Sequence, residues 1–200
     1  ADVPSGSSAG TPPDAVSDTP ATEDSVAALQ EVVVTAERRE ADLQKVPISI
    51  IAVSGADLQR SGVKSTVDLQ TLTPGLVFTT NAVDGQPYLR GVGSDILNIG
   101  TDGSVAVHLD GVSQSRPSSA IQDFLDVRRV EVVKGPQGTL YGRNATGGAI
   151  NIITNDPDYT WSGSVRLGSG NYDRRDGDAI LNIPLMEDKA ALRVGVLATG

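Results

Sequence analysis

The chain has 200 residues, 38% hydrophobic and only 4% aromatic, with 22 Gly, 11 Pro and a formal net charge of −9. That size fits one ordinary domain and part of a second, and the make-up favours strands and turns over a helical bundle. The acidic balance speaks against a nucleic-acid binder, which needs clustered Lys and Arg on one face, and the lack of Cys excludes disulfides and thiolate metal sites.

Residues 1–28 are Pro, Ser, Gly, Thr and Asp with scattered Ala and Val. Asp2, Asp14, Asp18, Glu23 and Asp24 put −5 of the −9 here, with no Lys or Arg before residue 31. Such a segment buries too little apolar area to offset its ordering entropy, so it reads as a flexible tether. It carries no signal-peptide pattern, though a chain from which a signal had been removed would begin in the same way. Next comes EVVVTAERRE, residues 31–40, a short strand-forming run with no evident partner beside it. No apolar run reaches the length of a membrane-spanning helix, and the lack of Cys suits passage through an oxidising periplasm.

From Leu43 the texture changes. VPISIIAVSG reads as a strand, and Ser54 as the N-cap of a short helix closed by Gly62. STVDLQTLTPGL reads as a second short helix stopped by Pro74-Gly75. VFTT and PYLRGV read as short strands around a polar loop from Thr80 to Gln86. SVAVHLDGV alternates Val105, Val107 and Leu109 with Ala106, His108 and Asp110, a half-buried strand ending in an Asp-Gly turn. A short helix is expected around 119–125, then a strand from Val127 to Val133, a Gly-rich loop, and a strand from Ala149 to Thr154. Residues 161–200 form segments of about ten residues with alternating character, with Tyr159 and Trp161 at their start. This is the weak signature of outer-membrane β-barrel strands. On pattern alone, an antiparallel meander of a soluble domain is the favoured reading.

Little here could carry catalysis. His108 is the sole histidine and reads as structural. No nucleophile elbow, metalloprotease pair or paired-His spacing exists. KGPQGTLYGRNATGG, 134–148, lacks the Lys-Ser/Thr that ends a phosphate-binding loop, so it reads as a packing loop. NIGTDGS, 98–104, lacks the spacing and terminal Glu of a calcium loop. Arg90, Glu131 and Lys134 lie within apolar strands, where an unpaired charge is costly. Their faces are either solvated or paired with a surrounding surface.

In sequence order, EVVVTAERRE resembles the TonB box of TonB-dependent outer-membrane receptors. VPISIIAVSGADLQRSG, DLQTLTPGL, YLRGVGS, VAVHLDGV and DVRRVEVVKGPQGTLYGRNATGGAINIITNDP resemble successive blocks of that family's plug domain. The resemblance runs from about Glu31 to Pro157. It implies an α+β plug with a small four-stranded mixed sheet and short helices, followed by the first strands of a transmembrane β-barrel of about 22 strands, incomplete here. The implied organisation is a disordered tether at 1–28, a TonB box segment at 29–39, a plug at 40–157 and barrel strands at 158–200. Also implied is TonB binding through Glu31, Val32, Val33, Val34, Thr35 and Ala36, with ExbB and ExbD engaged indirectly. Arg90 and Lys134, with Glu131 in the same charged block, would contact the barrel wall. Apical loops at Thr79–Gln86, Gly93–Gly103 and Ser113–Ser119 would present Asn81, Asp84, Asn98, Gln114 and Arg116 to substrate. The family takes up large scarce nutrients, mostly ferric siderophores but also cobalamin, haem and some saccharides. The implied protein is therefore an outer-membrane transporter in contact with lipid, with no enzymatic activity, cofactor, resident metal or nucleic-acid partner. A soluble plug-like binding module remains the alternative of another class.

Overall fold

The computed structural model describes residues 33–34, 41–42, 48–81, 84–94, 103–171, 173, 175–186 and 188–199. All lie within one compact unit, Glu31–Gly200. In chain order the elements begin with two short strands, β1 (Val33–Val34) and β2 (Ala41–Asp42). Then come β3 (Ser49–Ser54) and helix α1 (Gly55–Arg60). A 3-10 turn at Val67–Thr71 leads to β4 (Leu76–Asn81) and β5 (Asp84–Leu89). β6 (Val105–Leu109) and β7 (Val112–Ser113) precede a second 3-10 turn at Pro117–Ala120. β8 (Val127–Lys134), α2 (Gly138–Tyr141) and β9 (Gly148–Thr154) follow. β10 (Ser162–Ser169), β11 (Arg175–Met186) and β12 (Ala190–Thr199) end the chain.

The central sheet has five strands in the order β3-β8-β9-β6-β7. It is mixed, because β6 and β9 run parallel while the other pairs are antiparallel. The fifth strand, unexpected from the sequence, is the two-residue return of the chain after the Asp110-Gly111 turn. Directly paired residues share a face. Ile51, Val132, Ile150 and Val107 form one row, and Val53, Val130, Ile152 and Leu109 the next. This apolar face is buried under Leu58 of α1, Leu69, the β4–β5 hairpin residues Leu76, Phe78 and Leu89, and Ala120. The opposite face carries an apolar row, Ile50, Val133, Ala149 and Ala106, and a polar row, Glu131, Asn151 and His108. It is closed by Tyr141 and Ala145 from the Gly-rich block.

Local chemistry explains the covering elements. The Ser54 hydroxyl accepts the Asp57 N–H at 3.1 Å, capping α1 as its sequence suggests. The Asp68 carboxylate accepts the N–H groups of Lys64 and Ser65, so the next segment tightens into a 3-10 turn instead of a longer helix. The helix expected at 119–125 is likewise a 3-10 turn, and it begins earlier, at Pro117. β4 and β5 pair up to Asn81 and Asp84, so the expected polar loop Thr80–Gln86 is mostly strand. Gln86 is buried because it lies in β5. Gly148, at φ 142°, marks a close approach of two strands, since a Cβ there would lie 2.2 Å from the Val133 carbonyl oxygen.

β10, β11 and β12 form a separate antiparallel sheet of 8, 12 and 10 residues. Its register gathers charged side chains on one face, with Ile180 and Leu197 among them, and leaves the other face largely apolar. One face presents Val165, Ala179 and Val196 in a row, beside Leu181 with Val194 and Ile183 with Leu192. Leu167, on the same face, is 87% exposed. The other face presents Arg166 with Asp178, Asp176 with Thr199, and Asn182 with Arg193, and it meets the five-stranded domain. A soluble meander would bury its apolar face and wet its polar one. This sheet does the reverse, and its strand lengths match membrane-crossing barrel strands of about 9–11 residues. No helix among the described residues is long and apolar enough to cross a membrane, which says nothing about strands.

Two measurements test this layout. Ile150→Ala, at a fully buried core position, should cost about 2–5 kcal/mol in denaturant unfolding followed by circular dichroism. Val194→Arg should destabilise the protein folded into lipid vesicles by about 2–4 kcal/mol, whereas a water-facing Val194 would tolerate the charge.

Candidate functional site

Three places in the fold bring together groups that sequence reasoning singled out or overlooked. The first is the strand-forming run. β1 pairs antiparallel with β2, Val33 opposite Asp42 and Val34 opposite Ala41. The run, which has no evident partner in the sequence, therefore finds one in its own chain. β2 occupies one edge of β1, and among the described residues no strand pairs with the other. Glu31, Val32, Thr35 and Ala36 lie outside the described residues, as do the tether and Asn98.

The second place is the end of the sheet where β3 begins. Arg90 sits at φ 52°, followed by Gly91 at φ 80°, in the tight turn between β5 and Val92. Its guanidinium donates to the Ser49 hydroxyl at 3.0 Å. Lys134 lies opposite Ser49 and donates to the Pro74 carbonyl at 2.7 Å. Partial burial, and then the neighbouring Arg90 charge, hold the Lys134 ammonium below its ordinary pKa. Two cations thus share one end of the domain. Glu131 does not join them: it is fully buried on the polar face of the sheet, with the Arg129 guanidinium 2.8 Å away. A carboxylate enclosed in this way has no surface to offer a surrounding wall, which corrects its expected role. His108 is structural in its setting, packed beside Tyr141 with ring centroids 5.4 Å apart. The Tyr141 hydroxyl accepts the Asn151 amide at 2.8 Å, so the Gly-rich block serves as a lid on the polar row.

Of the apical candidates, Gln114 and Arg116 line one small cleft of about 30 Å³, together with Gln86, Ser94 and Gly103. Asp84 is half-buried at the start of β5 and does not line the cleft. Asn81 ends β4, and its side chain is outside the described residues.

The third place, missed by sequence reasoning, is the seat of the domain on the β10–β12 sheet. Asp126, at φ 56°, receives Arg193 on both carboxylate oxygens, the Nη2–Oδ1 distance being 2.6 Å. Asn155 donates to the same carboxylate at 2.8 Å. Burial raises the Asp126 pKa, but the hydrogen bonds from Arg193 and Asn155 and the Arg193 charge outweigh it, leaving the carboxyl below its ordinary value. Lys64 reaches Asp176 at 2.9 Å. Asn182, fully buried, donates to Asp158 and Thr160 and accepts the Asp158 N–H, fastening the connection into β10. The signal available in the sequence was parity. Arg193 stands between Leu192 and Val194, so a strand with an apolar outer face must turn it inward.

A mixed-sheet domain seated on the polar face of strands whose other face is apolar defines a plug held against a barrel wall. The TonB-dependent Receptor Plug Domain family model matches residues 42–149, and the chain belongs to that family. It is 36% identical over 144 residues to the pesticin receptor of Yersinia enterocolitica, covering 70% of this chain and 21% of that protein. It is 30% identical over 151 residues to the vitamin B12 transporter BtuB of Vibrio vulnificus, covering 74% of this chain and 24% of the relative. The crystal structure of the ferric yersiniabactin uptake receptor FyuA from Yersinia pestis superposes with a TM-score of 0.70 at 34% identity, over 75% of this chain and 24% of that one. The chain thus spans less than a quarter of the length of these relatives.

The Asp126 shift carries a signed prediction. A depressed carboxylate pKa contributes stability above the ordinary carboxylate value of about 4 and loses it as pH falls through the folded value. Calorimetry of the wild type should show this loss in acid. Asp126→Asn should lower the unfolding temperature at neutral pH and remove that part of the acid dependence.

Proposed function

We propose that the chain is the plug-bearing N-terminal part of an outer-membrane receptor that takes up an iron complex with energy delivered by TonB. The observation that carries this reading is the seat of the plug on the polar face of strands whose apolar face points away from it. The iron assignment is supported by the likeness to a ferric yersiniabactin receptor. Substrate docks at the apical end, where Gln114 and Arg116 border the cleft and Asn81 and Asp84 stand at the facing ends of β4 and β5, with Asn98 a further candidate. Residues 31–36 then offer the open edge of β1 to the C-terminal domain of TonB, which ExbB and ExbD drive from the inner membrane. Main-chain hydrogen bonds between the added strands supply the affinity. The pull remodels the plug and opens the barrel that it gates. Arg90 and Lys134 face carboxylates further round the wall. The Lys binds there as a point charge, because it lacks the fork needed for bidentate pairing.

Cobalamin is the second substrate reading, supported by the 30% identity to a vitamin B12 transporter. Haem and saccharides belong to the same class of large scarce nutrients. A soluble ligand-binding module is disfavoured by the outward apolar face of β10–β12.

Two outcomes are expected. In a pull-down with the TonB C-terminal domain, Val33→Pro should lose binding, because proline removes a backbone donor from the docking strand; undiminished capture would refute the docking role. Deleting the gene should abolish growth on at least one ferric siderophore as sole iron source. Unimpaired growth on ferric complexes of yersiniabactin, a catecholate and a hydroxamate, with lost growth on cobalamin, would move the assignment to the second reading.

A further inference from the structure

The plug and the wall strands meet along a seam of uneven tightness. At one end, the plug loop at 124–126 lies against the middle of β12. Both oxygens of Asp126 are taken by Arg193, and one also by Asn155. Both partners of the ion pair are largely buried, at 19% and 14% exposure. Beside them Leu125 packs on Gly195, where an added Cβ would come within 3.1 Å of the Leu125 Cδ2. The connection from β9 to β10 has no slack, because Asn182 holds Asp158 and Thr160 against the same face. Directly beside this contact, towards α1, the two surfaces stand apart. A crevice of about 300 Å³, bordered by Asp126 and Val127, separates Leu58, Gln59 and Val63 from Arg166, Gly168 and Leu197. The Lys64–Asp176 pair spans it, with the Lys side chain 63% exposed.

We propose that the seam at Asp126–Arg193 and Leu125–Gly195 stays closed during transport and acts as the fixed hinge of the plug, while the α1 side moves off the wall. The proposal rests on the uptake reading above. Separating the tight end would leave two buried charges without partners and open a void, whereas separating the α1 side breaks one ion pair whose lysine is already in water and whose Asp176 is 18% exposed. The direction of force agrees. A pull on residues 31–36 reaches β3 and α1 before it reaches 124–126. Among the described residues β3 is an edge strand whose one partner in the sheet is β8, so it lies first in the path of the pull.

The test uses the full-length receptor in cells, with any cysteine outside this Cys-free stretch replaced. Leu125→Cys with Gly195→Cys places the two sulfurs within reach of a disulfide. After oxidation, uptake of radio-iron supplied as ferric yersiniabactin, a ferric catecholate or a ferric hydroxamate should proceed at the rate of the reduced form. A second pair, Gln59→Cys with Gly168→Cys, joined across the crevice by a bis-maleimide, should lose uptake while keeping surface binding of the same complex. Loss of uptake on oxidising the first pair, restored by reductant, would overturn the hinge. So would failure of that disulfide to form in the resting receptor, or full uptake with the crevice bridged. No uptake by the wild type, with either pair absent, would instead overturn the iron reading beneath it.

Discussion

The register of β10–β12 is the constraint on which the rest of the structure depends. Side chains alternate with a period of two, so a slip of one residue would exchange the two faces. Arg193 would then point away from the plug, and Val194 would face Asp126. In the register observed, Arg193 meets Asp126, Gly195 admits Leu125, Asn182 meets Asp158, and Val165, Leu181, Val194 and Val196 all point outward. The same pairing makes the sheet acceptable to lipid and gives the plug a seat. Hydrogen bonding between strands, the apolar outer face and the charged inner face are therefore one solution to one problem.

The plug has its own asymmetry. One face of its sheet is a continuous aliphatic layer, closed by α1, the 3-10 turn at Val67–Thr71 and the β4–β5 hairpin. The other carries Arg129, Glu131, Asn151 and His108, closed by a four-residue helix and a loop. Buried polar groups of this kind add little net stability, but they are strongly destabilising if one partner is removed. They favour one arrangement of the lid over looser ones.

Much of this was legible in the sequence, for identifiable reasons. The α1 cap at Ser54, the β6 alternation and the long Val127–Lys134 strand are written in local residue patterns, and the structure follows them. The ordered blocks marked the plug as a whole. The β4–β5 hairpin was read as a longer polar loop because Thr79, Thr80, Asn81, Asp84 and Gln86 look like loop residues, although strand pairing accommodates them. The in-chain partner of Val33–Val34 escaped notice because Ala41–Asp42 has no strand signal of its own. Glu131 looked available to a wall because its neighbours in sequence are valines. Its partner Arg129 is two residues away along the same strand, on the same face. The seat on β12 depends on contacts between residues far apart in the chain, such as Asp126 with Arg193, which no local pattern reveals.

The most direct measurement of the central claim is the environment of the two faces of β10–β12 in the membrane. Spin labels placed one at a time along β12, at residues 192–198 of the receptor in lipid vesicles, can be probed by collision with oxygen and with a water-soluble nickel complex. The account predicts a period of two: labels at Leu192, Val194, Val196 and Ala198 reached by oxygen and shielded from nickel, and labels at Arg193, Gly195 and Leu197 shielded from the lipid-soluble probe. Labels equally open to the nickel complex at every position would contradict the reading of these strands as a barrel wall with the plug seated on its inner face.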